Sequence, residues 1–439
     1  MATNPTRRIR EFEHATDLTP DVETQLSRLA ALPPSTSVPY VTATLDWRIE
    51  GTNPGRSPRL TNGDADDTSA RRRPAYRIFE EEMRAVIDKH RPRGDVFDSL
   101  SADASRITSY LESELDSSAN GVVIVSCSAM DVFEFVALAT PVTTSFAVGP
   151  TPSLMELARV AGDHPIYAVL LADQHDATLS FIALAAATSS VVLESSGYPR
   201  KQKQGGWSQR RFQARADERV NAFARDIAEQ SQNALDEAGA EMLIVAGDEV
   251  IVSALNDAFH PSVVSRIAGT LRLDIRTDQH DVIRETQPLA EQAARAREAA
   301  LVTRLGDAVG AGGQGASGVE DTLIALQAGQ VDTLIMNDDF TGGGWADFSL
   351  PTYGVGGIPK RHPLGGDQAL IVPIALEDEL VRLALQTGAT VAIIHSAVPV
   401  PDDEIRDLPE SDDQRPRTQA SADLAQHGGV GALLRFRME

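Results

Sequence analysis

What the chain lacks narrows its chemistry first. Among its 439 residues there is one cysteine, Cys127. No disulfide can form within the chain, and no cysteine-based zinc knuckle can assemble. Cys127 sits in the apolar run GVVIVSCSAM, where a small buried core residue is the expected reading. No run of 18 apolar residues occurs, so a membrane-spanning helix is not expected. The start, MATNPTRRIREFEHATDLTP, has no apolar segment of the signal-peptide kind, and a cytoplasmic location is expected. The nine histidines are scattered, with no pair four residues apart and no cluster of two histidines with a carboxylate. No phosphate-loop lysine is present, and no metal or cofactor is expected. Positive charge is scarce as well. Forty Lys and Arg stand against 63 Asp and Glu, a formal net charge of −23. That balance excludes a DNA-coating protein and broad attachment to anionic membranes, so neither DNA nor a membrane is an expected partner. It leaves RNA open, because phosphate binding follows local charge.

A soluble α/β pattern fills this frame. Composition is 42% hydrophobic and 23% charged, and the length suits two or three domains. YVTATLDWRI is strand-like, and a polar Gly/Pro/Asp-rich loop follows over roughly 51–70. AYRIFEEEMRAVIDKH and ASRITSYLESELD have helical spacing. GVVIVSCSA and VFEFVAL are strands. PIYAVLLADQHDATLSFIAL reads as a hairpin turning at Asp173–Ala177. A long helix is expected from about Ser208 to Ala238, its inward face formed by Phe212, Ala216, Val220, Phe223, Ile227 and Leu235. EMLIVAG is a buried strand, and PLAEQAARAREAALVTRL a charged helix beginning at Pro288. The last third alternates helix and strand around an irregular Gly/Pro-rich insertion, as a three-layer α/β sandwich requires.

Three stretches compete for function. DQHD occurs at 173–176 and 278–281. Asp173 and Asp248, each at a strand end, would be the carboxylates of a metal-dependent nuclease, but turn formation explains them more simply. VGAGGQGASG, residues 309–318, contains a G-x-G-x-x-G at Gly310, Gly312 and Gly315. The segment before it is helical in pattern, so the strand-then-helix context of a dinucleotide site is missing, and a flexible interhelical loop is expected.

The third stretch, KQKQGGWSQRRFQARADER, is the most unusual. Arg200, Lys201, Lys203, Arg210, Arg211, Arg215 and Arg219 outnumber Asp217 and Glu218, so residues 200–219 carry net +5 in a chain of −23. A solvated helix face accounts for Arg215 and Arg219, but not for cations on both sides of Gly205-Gly206. Paired glycines let the backbone approach a crowded target. Flanking Lys and Arg neutralise phosphates. Trp207 offers a stacking face worth ~1–3 kcal/mol on a base. Gln209 offers an uncharged donor and acceptor. The combination suits a loop entering an RNA-lined cavity and orienting water.

GYPRKQKQGGWSQRRFQARADERVNAFARDIAE resembles the central-domain loop and helix of archaeal and eukaryotic class-1 peptide-chain release factors. GVEDTLIALQAGQVDTLIMND, LALQTGATVAIIHS and GGVGALLRFRME are similar to parts of their C-terminal domain. The resemblance covers roughly residues 160–439, and extends to the peptidyl-tRNA hydrolases of ribosome quality control. The strand and helix pattern before it gives an α/β N-terminal domain (1–158), and the resemblance implies an RNase H-like central domain carrying the Gly-Gly loop (159–285) and a C-terminal α/β/α sandwich of the kink-turn-binding ribosomal-protein type (286–439). The implied activity is hydrolysis of the peptidyl-tRNA ester on the ribosome. Gln209 is then the catalytic residue, with Gln213 second. Arg200, Lys201, Lys203, Gly205, Gly206, Trp207, Ser208, Arg210 and Arg211 form the RNA-binding loop. Trp207 stands where the release factors place glutamine, whereas Gly206-Trp-Ser-Gln209 fits the G-x-x-Q spacing of the quality-control enzymes. The first third carries no stop-codon-reading motif, so rescue of stalled ribosomes is expected over termination. A translational GTPase is the further partner the resemblance implies, and a non-catalytic Pelota-like factor or a nuclease acting on the tRNA acceptor end are the alternatives. The Gly-Gly-Gln at 312–314 has no positive neighbours and is read as coincidence.

Overall fold

A computed structural model describes residues 9–11, 22–48, 70, 73–90, 94–116, 118–163, 167–183, 186–193, 209–310, 313–397 and 417–436. From the N-terminus run β1 (Ile9–Glu11), α1 (Val22–Ala30), β2 (Tyr40–Asp46), α2 (Pro74–Lys89), α3 (Asp95–Ser113), β3 (Gly121–Cys127), β4 (Val132–Leu138), β5 (Ser145–Gly149) and α4 (Met155–Asp163). There follow β6 (Tyr167–Ala172), β7 (Ala177–Ala183), β8 (Ala186–Leu193), α5 (Gln209–Ala238), β9 (Leu243–Gly247), α6 (Glu249–Ala258), α7 (Pro261–Val264), β10 (Ile267–Leu271) and α8 (Gln279–Gly310). The remainder is β11 (Gly315–Ser317), α9 (Val319–Gln327), β12 (Val331–Asn337), β13 (Gly343–Asp347), β14 (Thr352–Val355), β15 (Val372–Ala375), α10 (Leu376–Gln386), β16 (Thr390–Ile394), α11 (Gln419–Ala425) and β17 (Val430–Leu434). These elements form a mixed α/β chain of two compact units. One unit joins residues 1–19 to 164–294, the other 20–163 to 295–439.

The first unit is built on one six-stranded sheet, ordered β1-β8-β7-β6-β9-β10. β6, β7 and β8 form an antiparallel meander, and β6, β9 and β10 run parallel. Strands YAVLLA and LIVAG are buried at every residue, as strands covered on both faces must be. One face packs Leu170, Leu179, Leu193 and Val245 against Val220, Phe223, Ile227 and Leu235 of α5 and Ile251 and Leu255 of α6. The other packs Val169, Leu171 and Ile244 against Val282 and Ala290 of α8. Gly247 is required by close approach, since a Cβ there would lie 2.1 Å from the Ala172 carbonyl oxygen.

The second unit joins two sequence-distant halves. The antiparallel sheet β4-β3-β2-β5 carries α2 and α3, around a core including Tyr40, Trp47, Phe79, Leu100, Ile107 and Ile124. Cys127 is buried there, as expected, and burial pushes its thiol pKa up. The sheet β11-β17-β12-β16 is flanked by helices on both faces. Ile335, Ile394 and Leu433 meet Val302 and Leu305 of α8 and Leu424 of α11, while α9 and α10 contact the same strands outside that cluster. Helices α1 and α4 pack on α10, and α4 also packs on β16. Asp378 Oδ1, at the start of α10, accepts from Ser153 Oγ (2.9 Å), Leu154 N (2.8 Å) and Met155 N (2.9 Å), capping α4.

Three departures from the sequence reading have local causes. The Gly/Pro-rich insertion contains a sheet of its own, β14-β13-β15. Helix α8 begins nine residues before Pro288 and passes through it, because Val282 and Ala290 on either side are buried against the first sheet. The segment holding Gly313 and Gln314 is not an interhelical loop. It leads into β11, an edge strand paired with β17, and the Gln314 carbonyl accepts from Leu434 N at 3.0 Å. Gly318, at φ 84°, then turns the chain into α9.

Candidate functional site

The basic loop is rooted between β8 and α5. Leu193, last residue of β8, pairs with Ala177, which pairs with Ala172, which pairs with Gly247. These four residues form one row across the end of the sheet. At ~4.8 Å per strand the loop's root stands roughly 10 Å from the end of β6. The row marks the carboxyl ends of β6 and β9, where parallel strands leave a crevice for ligands.

Helix α5 starts at Gln209, the other root. Its inward side is held in the core, for Val220, Phe223, Ala224, Ile227, Ala228 and Leu235 are all buried. The first-turn amides of such a helix carry a partial positive charge that suits an anion. Arg200, Lys201, Lys203, Gly205, Gly206, Trp207 and Ser208 lie outside the described residues. Gln209, Arg210, Arg211 and Gln213 lie in the first turns of α5, with their side chains outside them. The side chains of Phe212 and Ala216, from the expected inward face, also lie outside the described residues, while Val220, Phe223, Ile227 and Leu235 are buried on that face as expected.

The aspartates near the row are engaged locally. Asp173 Oδ1 accepts from His175 N and Asp176 N, both at 2.7 Å, and so shapes the β6–β7 turn. Asp248 Oδ1 accepts from Val250 N (2.9 Å) and Ile251 N (3.0 Å) as the N-cap of α6. Among the described residues no three His, Cys, Asp or Glu side chains are grouped to hold a metal ion. No described helix is long and apolar enough to cross a membrane.

Polar centres that the sequence did not signal lie in the second unit. Glu298 of α8 accepts from Arg295 (2.9 Å), from the His395 backbone N (3.1 Å) and from His395 Nδ1 (2.8 Å), fastening α8 to the end of β16. Asp347 and His362, both buried, meet at 3.0 Å. Leu364 N donates to His362 Nδ1, which places the ring proton on Nε2 facing Asp347. Ser349 donates to Asp347 Oδ1 from its hydroxyl (2.6 Å) and its N (2.8 Å), and with His362 holds that carboxyl below the usual range. Each pair is 15 or 97 residues apart and leaves no periodic mark.

Comparison with known proteins finds a family model over the stretch of chain that holds the basic loop. Residues 152–291 match the model of bacterial archaeo-eukaryotic release factor family 10. Solved structures are similar at low identity. The archaeal translation termination factor is 14% identical, covering 94% of this chain and 98% of its own, with a TM-score of 0.22. Pelota of Archaeoglobus fulgidus is 15% identical, covering 74% and 82%, at 0.29. A model of ribosome-bound archaeal Pelota and ABCE1 is 16% identical, covering 73% and 78%, at 0.36. No curated protein is significantly similar to the chain.

Proposed function

The chain is a relative of the archaeo-eukaryotic release factor family, and from that premise we propose that it hydrolyses the peptidyl-tRNA ester on stalled ribosomes or large subunits. The observation that carries this reading is the placement of the net +5 Gly-Gly segment. It falls inside the family match and joins β8 to α5, with Gln209 as the first helical residue. Arg200, Lys201, Lys203, Arg210 and Arg211 grip ribosomal RNA phosphates, and Gly205-Gly206 pass through the narrowest part of the cavity. Trp207 stacks on a base or sugar, and Ser208 leads into the helix. The Gln209 amide holds water against the ester carbonyl. Catalysis of this kind works by positioning, and the RNA supplies the remaining groups. The water adds to the carbonyl carbon, the ester C–O bond breaks, and the tRNA hydroxyl leaves with a proton.

The division into three domains belongs to the same proposal: 1–158, 159–285 and 286–439. For the central part, the meander β8-β7-β6 continued by parallel β9 and β10 supports an RNase H-like arrangement. For the C-terminal part, helices on both faces of β11-β17-β12-β16 support the kink-turn-binding ribosomal-protein type. A translational GTPase is a further partner of this reading, which requires no cofactor.

A second reading has an observation of its own. Trp207 occupies the place of the release factors' glutamine, which favours a non-catalytic Pelota-like factor that binds the ribosome without cleaving. Release of labelled peptide from peptidyl-tRNA on purified ribosomes separates the two. Gln209→Ala is expected to slow release on the order of 100-fold while ribosome co-sedimentation persists. Unchanged release removes Gln209 from the chemistry. Co-sedimentation without release by the unaltered chain establishes the Pelota-like reading.

A further inference from the structure

The insertion between β12 and α10 concentrates exposed apolar surface on an ordered frame. Four of the ten exposed large apolar side chains among the described residues lie between 350 and 370: Leu350 (45% exposed), Ile358 (48%), Leu364 (67%) and Leu370 (43%). A loop ordered only by burying apolar groups would hide them. This one is ordered by hydrogen bonds. His362 is anchored to Asp347 on β13, and Leu364 N to His362 Nδ1 at 3.1 Å. Gln368 Nε2 donates to the Pro359 carbonyl at 2.7 Å, closing the loop, and Gly365 N donates to the His362 carbonyl at 3.1 Å. Asp367 Oδ1 accepts from Ala369 N, turning the chain back towards β15. A Cβ at Gly366 would lie 2.7 Å from Leu350 Cδ1 and 3.0 Å from the His362 ring, so Leu350 and the loop form one surface. The entropy of ordering is met by polar contacts inside the loop, which leaves the apolar side chains available to a partner.

Charge selects the partner. Lys360 and Arg361 are exposed beside Ile358, with no ion pair to any described residue. The stretch 350–370 contains one carboxylate, Asp367, in a chain of −23. Leu and Ile have no flat face on which a base can stack, the loop 356–370 contains no Phe, Tyr or Trp, and the ring of its one histidine, His362, is buried against Asp347. RNA is therefore poorly matched. A second copy of so acidic a chain is repelled overall.

We propose that the loop Gly356–Leu370, with Leu350, is a docking surface for a protein segment that combines carboxylates with large apolar side chains. The apolar groups supply the buried contact, and Lys360 and Arg361 set orientation and association rate. This does not depend on what Gln209 does. The test is an array of short synthetic peptides, varied independently in carboxylate and large apolar content, and probed with the labelled full-length chain. Retention is expected only where both are present. It is expected to weaken about tenfold in Leu364→Ser and in Ile358→Ser. Lys360→Glu with Arg361→Glu is expected to weaken it further, by an amount that shrinks as salt rises. Leu364 is mostly exposed, so Leu364→Ser should keep the melting temperature and report on docking alone. The proposal is overturned if no peptide is retained above a basic control, or if retention ignores Leu364→Ser. It also fails if these variants weaken binding of a single-stranded RNA oligomer and leave the peptides untouched, or if sedimentation shows a dimer that Leu364→Ser dissociates.

Discussion

The two units hold themselves together differently. Among the described residues, the buried polar groups of the six-stranded unit's side chains are hydroxyls alone, those of Ser231, Thr286 and Tyr167. The other unit buries Arg73, Asp103, Gln330, Asn337, Asp347, His362, Glu379, Arg382 and His395, along with several hydroxyls. The first unit comes almost entirely from one stretch of chain, and a sheet with helices on both faces lets apolar periodicity close the core. The second brings 20–163 to 295–439. Apolar surface alone does not specify which partner helix meets which, whereas a buried carboxylate tolerates only partners that satisfy it. Asp103 illustrates this. Its Oδ1 accepts from Ser126 Oγ, Ser128 N and Ser128 Oγ at 2.5–2.7 Å, so β3 and its exit are tied to α3. The lesson is that polar contacts carry specificity in the assembled unit and apolar contacts carry stability in the contiguous one.

Breaking the buried pair Glu379–Arg382 should produce the largest effect. Arg382 Nε donates to Glu379 Oε2 at 2.9 Å, and the guanidinium also reaches Tyr353 and lies over Phe348. Glu379→Ala strands the buried cation and is expected to cost about 3–5 kcal/mol by denaturant unfolding. Replacing both residues by Met should cost less than that single change. If the double replacement costs more, the pair stabilises the unit rather than specifying it.

Ile227→Ala makes the matching cut in the first unit. Ile227 is fully buried in the face that α5 presents to the sheet, and its truncation is expected to cost about 3 kcal/mol through the cavity left behind. Amide exchange should speed up along α5. An equally large loss spread into β12 and β16 would show that the two units do not unfold as separate cores.

Asp378→Asn is the mildest and sharpens the comparison most. The amide keeps an acceptor for Leu154 N and Met155 N, so the expected loss is about 1 kcal/mol. Burial raises the Asp378 carboxyl above its ordinary value, despite the three donors. A carboxyl raised on folding contributes most below its unfolded value, about 4, and that contribution is lost as pH rises through the folded value. The stability gap between the unaltered chain and Asp378→Asn should therefore narrow from about pH 4 towards neutrality. A gap that widens would mean that the donors outweigh burial.

Much of the six-stranded unit was legible before the structure. The β6–β7 hairpin followed from apolar runs around a polar turn, and α5 from the spacing of Val220, Phe223, Ile227 and Leu235. Both signals are local. The insertion was not legible, because β13, β14 and β15 are four or five residues long and set among glycines and prolines. Their pairing depends on Trp345 lying opposite Gly354 and Pro373 rather than on any alternation. The start of α8 was missed because Pro288 is a common first helical residue, and only the burial of Val282 shows the helix to begin earlier. Of the candidate site, the sequence singled out the glycines, cations and Gln209, and the structure added the strand row on which their loop is rooted.

The amino-acid sequence alone determined the charge contrast of the basic loop, the α/β class and the helix that carries Gln209. Each depends on residues a few positions apart. Only the tertiary structure decided that residues 20–163 and 295–439 form one unit. That outcome rests on partners such as Asp378 and Leu154, 224 residues apart. A buried carboxylate finds its donors through the fold, and no spacing along the chain encodes that meeting.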